Sequence, residues 1–306
     1  MPRIMYKDLE IGRKRLEIID RVNGLIEDYQ AQGYVLTLRQ LYYQFVARGW
    51  IANDQKEYKR LGEIVNDGRL AGLIDWHAIE DRTRELGGGS HWTGPDEIIQ
   101  SAADGFRVDK WTDQPYRIEV WVEKDALEGI VAQAALKLDV NYFSCRGYTS
   151  QTAMWNAGIR LKEYVEGGQD VIVLHLGDHD PSGLDMSRDI KERLTTFMED
   201  SFWNLTFERI ALNRDQIEKY NPPPNPAKIT DSRYAAYTAQ FGKDSWELDA
   251  LEPGVISQLI TDAVLKHRDT KKYNRRVKKE ERGRSLLSAV ATQWDAVANF
   301  LKGATR

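Results

Sequence analysis

Val171-Ile172-Val173-Leu174-His175-Leu176-Gly177-Asp178-His179-Asp180-Pro181-Ser182-Gly183 reads as an apolar strand that stops abruptly and releases two aspartates. Side chains at i and i+2 of an extended segment leave the same face, which sets Asp178 and Asp180 side by side. Two neighbouring carboxylates repel unless a cation or a proton separates them. Oxygen-only ligands at a strand exit suit Mg²⁺, which keeps part of its water shell and bridges to phosphate. Earlier in the chain, Ile118-Glu119-Val120-Trp121-Val122-Glu123-Lys124-Asp125 repeats the strand-then-acid signal. Glu123, Asp178 and Asp180 are therefore expected to form a three-carboxylate metal site at the edge of a parallel sheet, suited to phosphate-ester chemistry. Taken singly, each half is ordinary. Surface turns are rich in Asp and Gly, and a Glu that opens a helix is favoured by the helix dipole.

From Tyr116 onward the pattern alternates. Strands are expected at 117–122, 141–145, 171–176 and 204–212, with helices at 124–137, 149–166 and 183–199. Such alternation predicts a parallel, right-handed α/β sheet with its ligand site at the C-terminal ends of the strands, the edge that carries both acidic motifs. Pro222-Pro223-Pro224-Asn225-Pro226 is an extended connector, and helices at 253–267 and 283–302 come after it. Asp109–Pro115 is expected to link a domain over 1–112 to a second over 113–306.

The first of these domains reads as helical. Leu16, Ile19, Val22, Ile26 and Tyr29 give residues 8–32 a helical stripe, and Gly33 stops it. Thr37 can cap a second helix to about Arg48. A third, from about Asp54 to Ala71, turns Tyr58, Leu61, Ile64 and Val65 inward and Lys56, Lys59, Arg60 and Arg69 outward. Gly72-Leu73-Ile74-Asp75-Trp76 reads as the start of a short strand. Three helices followed by a hairpin make a winged-helix plan, with the third helix and its basic residues facing a DNA groove. Leu86-Gly87-Gly88-Gly89-Ser90 lacks the preceding strand and following Lys-Ser/Thr of a phosphate loop, and is expected to be a flexible surface loop. Pro95–Phe106 reads as a further helix.

Within the second helix, Leu38, Leu41, Tyr42, Phe45 and Val46 form the buried stripe. Tyr43 is left off the core face, one turn from Arg39. A phenol ordinarily titrates near 10, and a neighbouring guanidinium favours the phenolate, so Tyr43 is a candidate nucleophile. On spacing alone, the plainer expectation is that Tyr43 and Arg39 touch DNA backbone or solvent.

The chain of 306 residues is long enough for about two domains of roughly 100–200 residues each. Charged residues make up 29% and the mean hydropathy is −0.56, which suits a soluble protein. No stretch approaches the roughly 20 apolar residues of a membrane span. The segment Met1-Pro2-Arg3-Ile4-Met5-Tyr6-Lys7-Asp8 lacks the apolar core of a secretion signal. Cys145 is the single cysteine, which excludes an intrachain disulfide and a cysteine-based zinc cluster. A cytoplasmic location is expected. A net charge of −4 does not advertise a nucleic-acid binder. Between Arg268 and Arg284, however, the chain is strongly basic, and Lys271, Lys272, Arg275 and Arg276 are candidate phosphate contacts. A solvated helix face is the plainer alternative. A local basic stripe can still bind DNA, because screening confines each charge to about a Debye length.

Arg39-Gln40-Leu41-Tyr42-Tyr43, Val122-Glu123-Lys124-Asp125-Ala126, Gly147-Tyr148-Thr149-Ser150 and Asp178-His179-Asp180-Pro181-Ser182-Gly183 occur in the order found in one known family. The chain resembles the A subunit of topoisomerase VI and the related meiotic double-strand-break transesterases. The motifs lie within about residues 35–190, and Glu247-Leu248-Asp249-Ala250-Leu251 resembles a later Glu-x-x-Ala-Leu stretch. Gln40 stands where the family often has an acid, and Thr149 where it usually has proline. The length resembles compact, stand-alone versions carried by phages and bacterial mobile elements. The resemblance implies a winged-helix domain followed by a Toprim domain, with Tyr43 as nucleophile and Arg39 beside it. It also implies Mg²⁺ on Glu123, Asp178 and Asp180, double-stranded DNA as substrate and a 5′-phosphotyrosyl product. A homodimer, in which each tyrosine meets the partner's metal, is implied too, acting at the nucleoid. GHKL ATPase motifs are absent, so ATP-driven strand passage would need a separate ATPase subunit.

Two alternatives stay open. A Toprim nuclease could cut with metal-activated water, using Tyr43 only as a DNA contact and recruiting Glu247 and Asp249, which otherwise read as a surface acidic turn. A DNA-binding regulator with an inert Toprim fold would leave the three carboxylates without use. His179 is expected to point outward at the surface.

Overall fold

A computed structural model describes residues 3–80, 89 and 91–304. The apolar runs form β1 (Tyr116–Val122), β2 (Asn141–Ser144), β3 (Asp170–Leu176) and β4 (Leu205–Ala211). They pair in parallel in the order β2-β1-β3-β4, so the α/β expectation holds. Alternate residues leave opposite faces of a strand. Ile118, Val120 and Val122, with Ile172, Leu174 and Leu176, meet α5 (Glu128–Lys137) and α10 (Pro253–His267) on one face. Trp121, Val171 and Val173 meet α6 (Gln151–Glu166) and α7 (Pro181–Met198) on the other. Burial on both faces is why the strands read as unbroken apolar runs. Val122 pairs with Leu176, so β1 and β3 end level and Glu123 emerges beside Gly177.

Three helices, α1 (Arg13–Ala31), α2 (Leu38–Ala47) and α3 (Gln55–Leu70), share a separate core built on Ile19, Val22, Leu41, Phe45, Leu61 and Ile64. Thr37 and Gln40 form a capping box that starts α2, and Asp54 caps α3 through the Glu57 amide. The strand expected at 72–76 is absent. Gly72 turns with φ +72, where a Cβ would meet the Met5 amide nitrogen at 2.9 Å. The described residues there make only isolated bridges, Met5 with Ala71 and Leu36 with Ile79. Arg69 does not face outward: it donates to the carbonyls of Trp76 and Ile79 and fixes this turn. Lys56, Lys59 and Arg60 are exposed as expected. The loop expected at Leu86–Ser90 lies outside the described residues, Gly89 excepted.

Residues 109–115, which lead into β1, are packed against the rest of the chain. Trp111 is 1% exposed, and its indole donates to the Leu138 carbonyl at 2.9 Å. The Lys110 ammonium pairs with Glu280 at 2.7 Å. Glu280 belongs to α11 (Thr270–Thr292), a 23-residue helix that starts well before the expected 283 because Asp269 caps it. Helix α4 (Pro95–Gly105) packs along α11, where Gly283 leaves room for the Phe106 ring. Lys272 and Arg276 turn inward to Asp113. Helix α11 ends at Gln293, and α12 (Trp294–Ala304) follows directly. Two short helices had no expectation, α8 (Arg214–Tyr220) and α9 (Tyr234–Phe241), and Asn225-Pro226 pairs with Asp244-Ser245. Among the described residues, no helix is long and apolar enough to cross a membrane.

Candidate active site

Because β1 and β3 end level, their exit loops meet in one place. The Glu123 carboxylate turns under the loop after β3 and accepts the Asp178 amide at 3.0 Å. Glycine is required on both sides of it. A Cβ at Gly177 would sit 2.7 Å from Glu123 Oε2, and one at Gly183 would sit 3.0 Å from that oxygen and 2.4 Å from the Asp178 carbonyl. Beneath the loop, Arg209 of β4 donates to the carbonyls of Gly177, Asp178 and Gly183 and to the Ser187 hydroxyl, locking its path.

Asp178 and Asp180 each make contacts of their own at the strand exit. Asp178 accepts the Leu248 amide at 2.8 Å and lies 3.1 Å from the Lys124 ammonium. Asp180 folds back to cap α7, accepting from the Gly183 amide at 2.6 Å and the Ser182 hydroxyl at 2.9 Å. Both still line the same cleft.

Lys124 holds the centre. Its ammonium also lies 2.7 Å from Glu247 and 3.1 Å from Asp249. Glu247 and Asp249 are no surface turn: Asp249 is 2% exposed, in a short 3-10 turn over Leu248–Ala250. Opposite them stands α2. The Tyr43 hydroxyl donates to Glu247 at 2.6 Å, and Arg39 donates to Glu247 at 2.8 Å, to Asp249 at 2.7 Å and to the Tyr43 oxygen at 3.4 Å. Tyr43 is only 5% exposed, which corrects the expectation that it stands free of the core. Its phenol faces acids of its own chain. The cleft has a volume of about 690 Å³, lined by Arg39, Tyr43, Lys124, Asp178, Asp180 and Glu247, with Lys228 and Tyr58 also on its wall.

Burial, reinforced by Asp178 and Asp180, pushes the Glu123 carboxyl up to about 8. Burial raises Asp178 as well, with Lys124 opposing and Asp249 adding to the rise. Against the upward push of burial, Lys124, Tyr43 and Arg39 pull Glu247 down to about 2. Burial, Asp249 and Glu247 drive the Tyr43 phenol well above its ordinary range despite Arg39. At neutral pH the phenol therefore holds its proton and Glu247 is ionised.

Oxygen-only side chains suit a hard divalent cation, and a bound cation would offset the repulsion from Asp178 and Asp180 that adds to burial in raising Glu123. By donor chemistry Glu123, Asp178 and Asp180 fit Mg²⁺. Among the described residues, no three His, Cys, Asp or Glu side chains already enclose one metal position.

His179 is not at the surface. It is 3% exposed, with Nδ1 3.0 Å from the Tyr237 hydroxyl, packed by Phe241 and Trp246. Burial and Arg209 lower it to about 4, so it is neutral and structural. Sequence reasoning assigned no role to Lys124 or Arg209. A lysine directly after a strand-exit glutamate was a usable signal for the first; nothing in the local sequence marks the second.

Comparison of the chain with protein-family models, curated proteins and solved structures finds no match.

Proposed function

We propose that this cleft cleaves double-stranded DNA by transesterification. The observation that carries the proposal is the Tyr43 hydroxyl, 2.6 Å from an ionised glutamate, beside Arg39, Lys124, Asp178 and Asp180 in one cleft. Tyr43 Oη attacks a backbone phosphorus, the bond to the 3′ oxygen breaks, and a 5′-phosphotyrosyl link forms. The phenolic proton passes to Glu247, and the leaving 3′ oxygen takes up a proton from solvent. An entering phosphate competes for Arg39 and Lys124, which frees Glu247 to become more basic as the phosphorus arrives. The same two cations stabilise the charge that develops on the phosphoryl oxygens. Mg²⁺, when held by Glu123, Asp178 and Asp180, supplies further positive charge to that phosphate. Tyr42 is a poorer nucleophile, since its hydroxyl is spent on Asn53 and the Asp54 carbonyl.

In this account α1–α3 act as a winged-helix-like unit whose Lys56, Lys59 and Arg60 grip the duplex, and the sheet acts as a Toprim-like unit. The motif resemblance to topoisomerase VI A subunits supports it. Two copies of the chain, each cutting one strand, give a double-strand break. Any ATP-driven strand passage would need a separate GHKL ATPase subunit, and the site of action in this account is the nucleoid in the cytoplasm.

One observation favours a second account. A phenol kept protonated by burial is a reluctant nucleophile, which suits a hydrolytic nuclease in which Tyr43 only orients Glu247. The cut ends separate the two. Incubating the protein with duplex DNA and Mg²⁺, then denaturing it, should leave protein covalently on 5′ ends. Tyr43→Phe should abolish the adduct and Tyr42→Phe should keep it. Protein-free 5′-phosphate ends, with Tyr43→Phe still cutting, would overturn transesterification in favour of hydrolysis.

A further inference from the structure

Helix α11 carries its cations on one face. Lys271, Asn274, Arg275, Lys278, Lys279 and Arg282 fall at i, i+3, i+4, i+7, i+8 and i+11, a single helical stripe. All six are exposed and line one shallow hollow. Among the described residues, Lys271, Lys278, Lys279 and Arg282 make no ion pair, and Arg275 reaches only to 3.9 Å of Asp113. Glu281 stands at the margin of the stripe as its one acid. The inward face is fully used. Tyr273 and Glu280 are buried, Gly283 receives Phe106, and Lys272 and Arg276 hold Asp113. The stripe is thus presented on a helix that packing keeps rigid.

Its position is separate from the cleft. The start of α11 is tied to the residues that lead into β1, through Gln114 with Asp269 and Lys272 with Asp113. Those residues lie at the edge of the sheet where β1 begins. The acids leave the opposite edge, a seven-residue strand away, or about 23 Å.

We infer that this stripe is a second surface for duplex DNA, gripping phosphates independently of the cleft. Naming DNA as the partner rests on the function proposed above; the stripe itself rests on α11 alone. From Lys271 to Arg282 it runs for about 17 Å at 1.5 Å per residue, with one or two cations per turn. A duplex presents a phosphate charge every 1.7 Å or so of axis, so every cation on this face finds a partner. An anionic membrane is the weaker candidate. A helix that lies in a lipid interface needs its apolar side free, and in α11 Tyr273 and Val277 are turned to the protein.

The test reads binding without cleavage. In Mg²⁺-free buffer, duplex affinity of the full chain is measured over a range of salt, for wild type and for Lys271→Gln/Lys278→Gln/Lys279→Gln/Arg282→Gln. Each phosphate contact contributes about 0.9 to the slope of log K against log salt, so the loss of four cations should make the variant's slope shallower by about 3.6. Lys272→Gln, which alters a cation already turned inward, should leave the slope unchanged. Coincident thermal unfolding of wild type and variant establishes that the fold is intact. An unchanged slope in the quadruple variant overturns the inference, whatever the cleft does. So does an unchanged duplex slope accompanied by lost binding to phosphatidylserine vesicles. A stripe-dependent slope in a protein that never cuts DNA sustains it while removing the proposed cleavage.

Discussion

Tyr43 and Glu247, joined by a 2.6 Å hydrogen bond, are 204 residues apart in the chain. This contact seals α2 against the sheet edge and turns what the sequence presents as an exposed phenol into a buried one. Around it, Arg39 and Lys124 answer four carboxylates: Asp178, Glu247, Asp249 and, through the field at the strand end, Glu123.

Removing the central ammonium should be costly. Lys124→Met leaves Asp178, Glu247 and Asp249 facing one another without their shared ammonium, and breaking a buried pair this way costs about 3–5 kcal/mol. Urea unfolding should show that loss. Glu247→Gln in the same background should restore part of it, with a coupling of about 0.5–3 kcal/mol in the double-mutant cycle. Strict additivity of the two changes would show that the ammonium and the glutamate act independently.

Arg39→Lys keeps the charge and loses the fork. The guanidinium reaches Glu247 and Asp249 through different nitrogens, at 2.8 Å and 2.7 Å. A single ammonium does not span both in the same geometry. DNA cleavage should fall about 10–100-fold, equivalent to about 1.4–2.7 kcal/mol of transition-state stabilisation. Thermal unfolding should change far less than the rate. Equal losses in both would make Arg39 a structural residue.

Stability should depend on pH through Glu123. Its carboxyl is raised in the folded chain from the usual 4.5 to about 8. The folded state therefore prefers the protonated acid. The stability this contributes is fully present below about 4.5 and is lost as pH rises through about 8. The Glu123 contribution to Tm should fall across that window, so Tm of wild type relative to Glu123→Gln should decline with rising pH. Mg²⁺ should raise Tm above about pH 7 in the wild type and do so less after Asp178→Asn. An identical pH slope of Tm in wild type and Glu123→Gln would mean that folding does not favour the protonated Glu123, a comparison in which the opposing contributions of the buried His175 and His179 cancel.

Gly183→Ala tests the cradle around Glu123. The added methyl meets the Asp178 carbonyl at 2.4 Å, a backbone atom held by Arg209 that has no freedom to yield. Overpacking of this kind costs about 1–3 kcal/mol. Gly105→Ala meets nothing within 4 Å and should be neutral or slightly stabilising. Equal unfolding midpoints for the two variants would mean that the loop after β3 is loosely held.

The sheet is legible in the sequence because its strands are buried on both faces and each ends in a polar turn, so apolar run length and the acids after it locate β1 and β3 directly. Helices α2 and α3 are legible from their caps and one apolar stripe. That stripe is also why Tyr43 reads as exposed. Periodicity reports the face packed against α1 and α3, but α2 has a second covered face, closed by residues 247–250 from the far end of the chain. His179 fails for the same reason: Tyr237, Phe241 and Trp246, some sixty residues on, enclose it. At 109–115 the large apolar ring of Trp111 anchors the segment in the core, a packing that the linker reading does not address. In α11 the basic run is too polar for an apolar stripe, and only the Asp269 cap marks where it begins.

The distance in sequence between the phenol and its glutamate has a consequence during synthesis. Chains emerge from the ribosome amino end first, and neighbouring elements fold as they appear. Tyr43 and Arg39 are exposed early, while Glu247 and Asp249 arrive some two hundred residues later. A nascent chain thus carries the tyrosine long before it carries the glutamate that accepts its hydrogen bond, and the proposed cleft is closed only once residues 247–250 have been made.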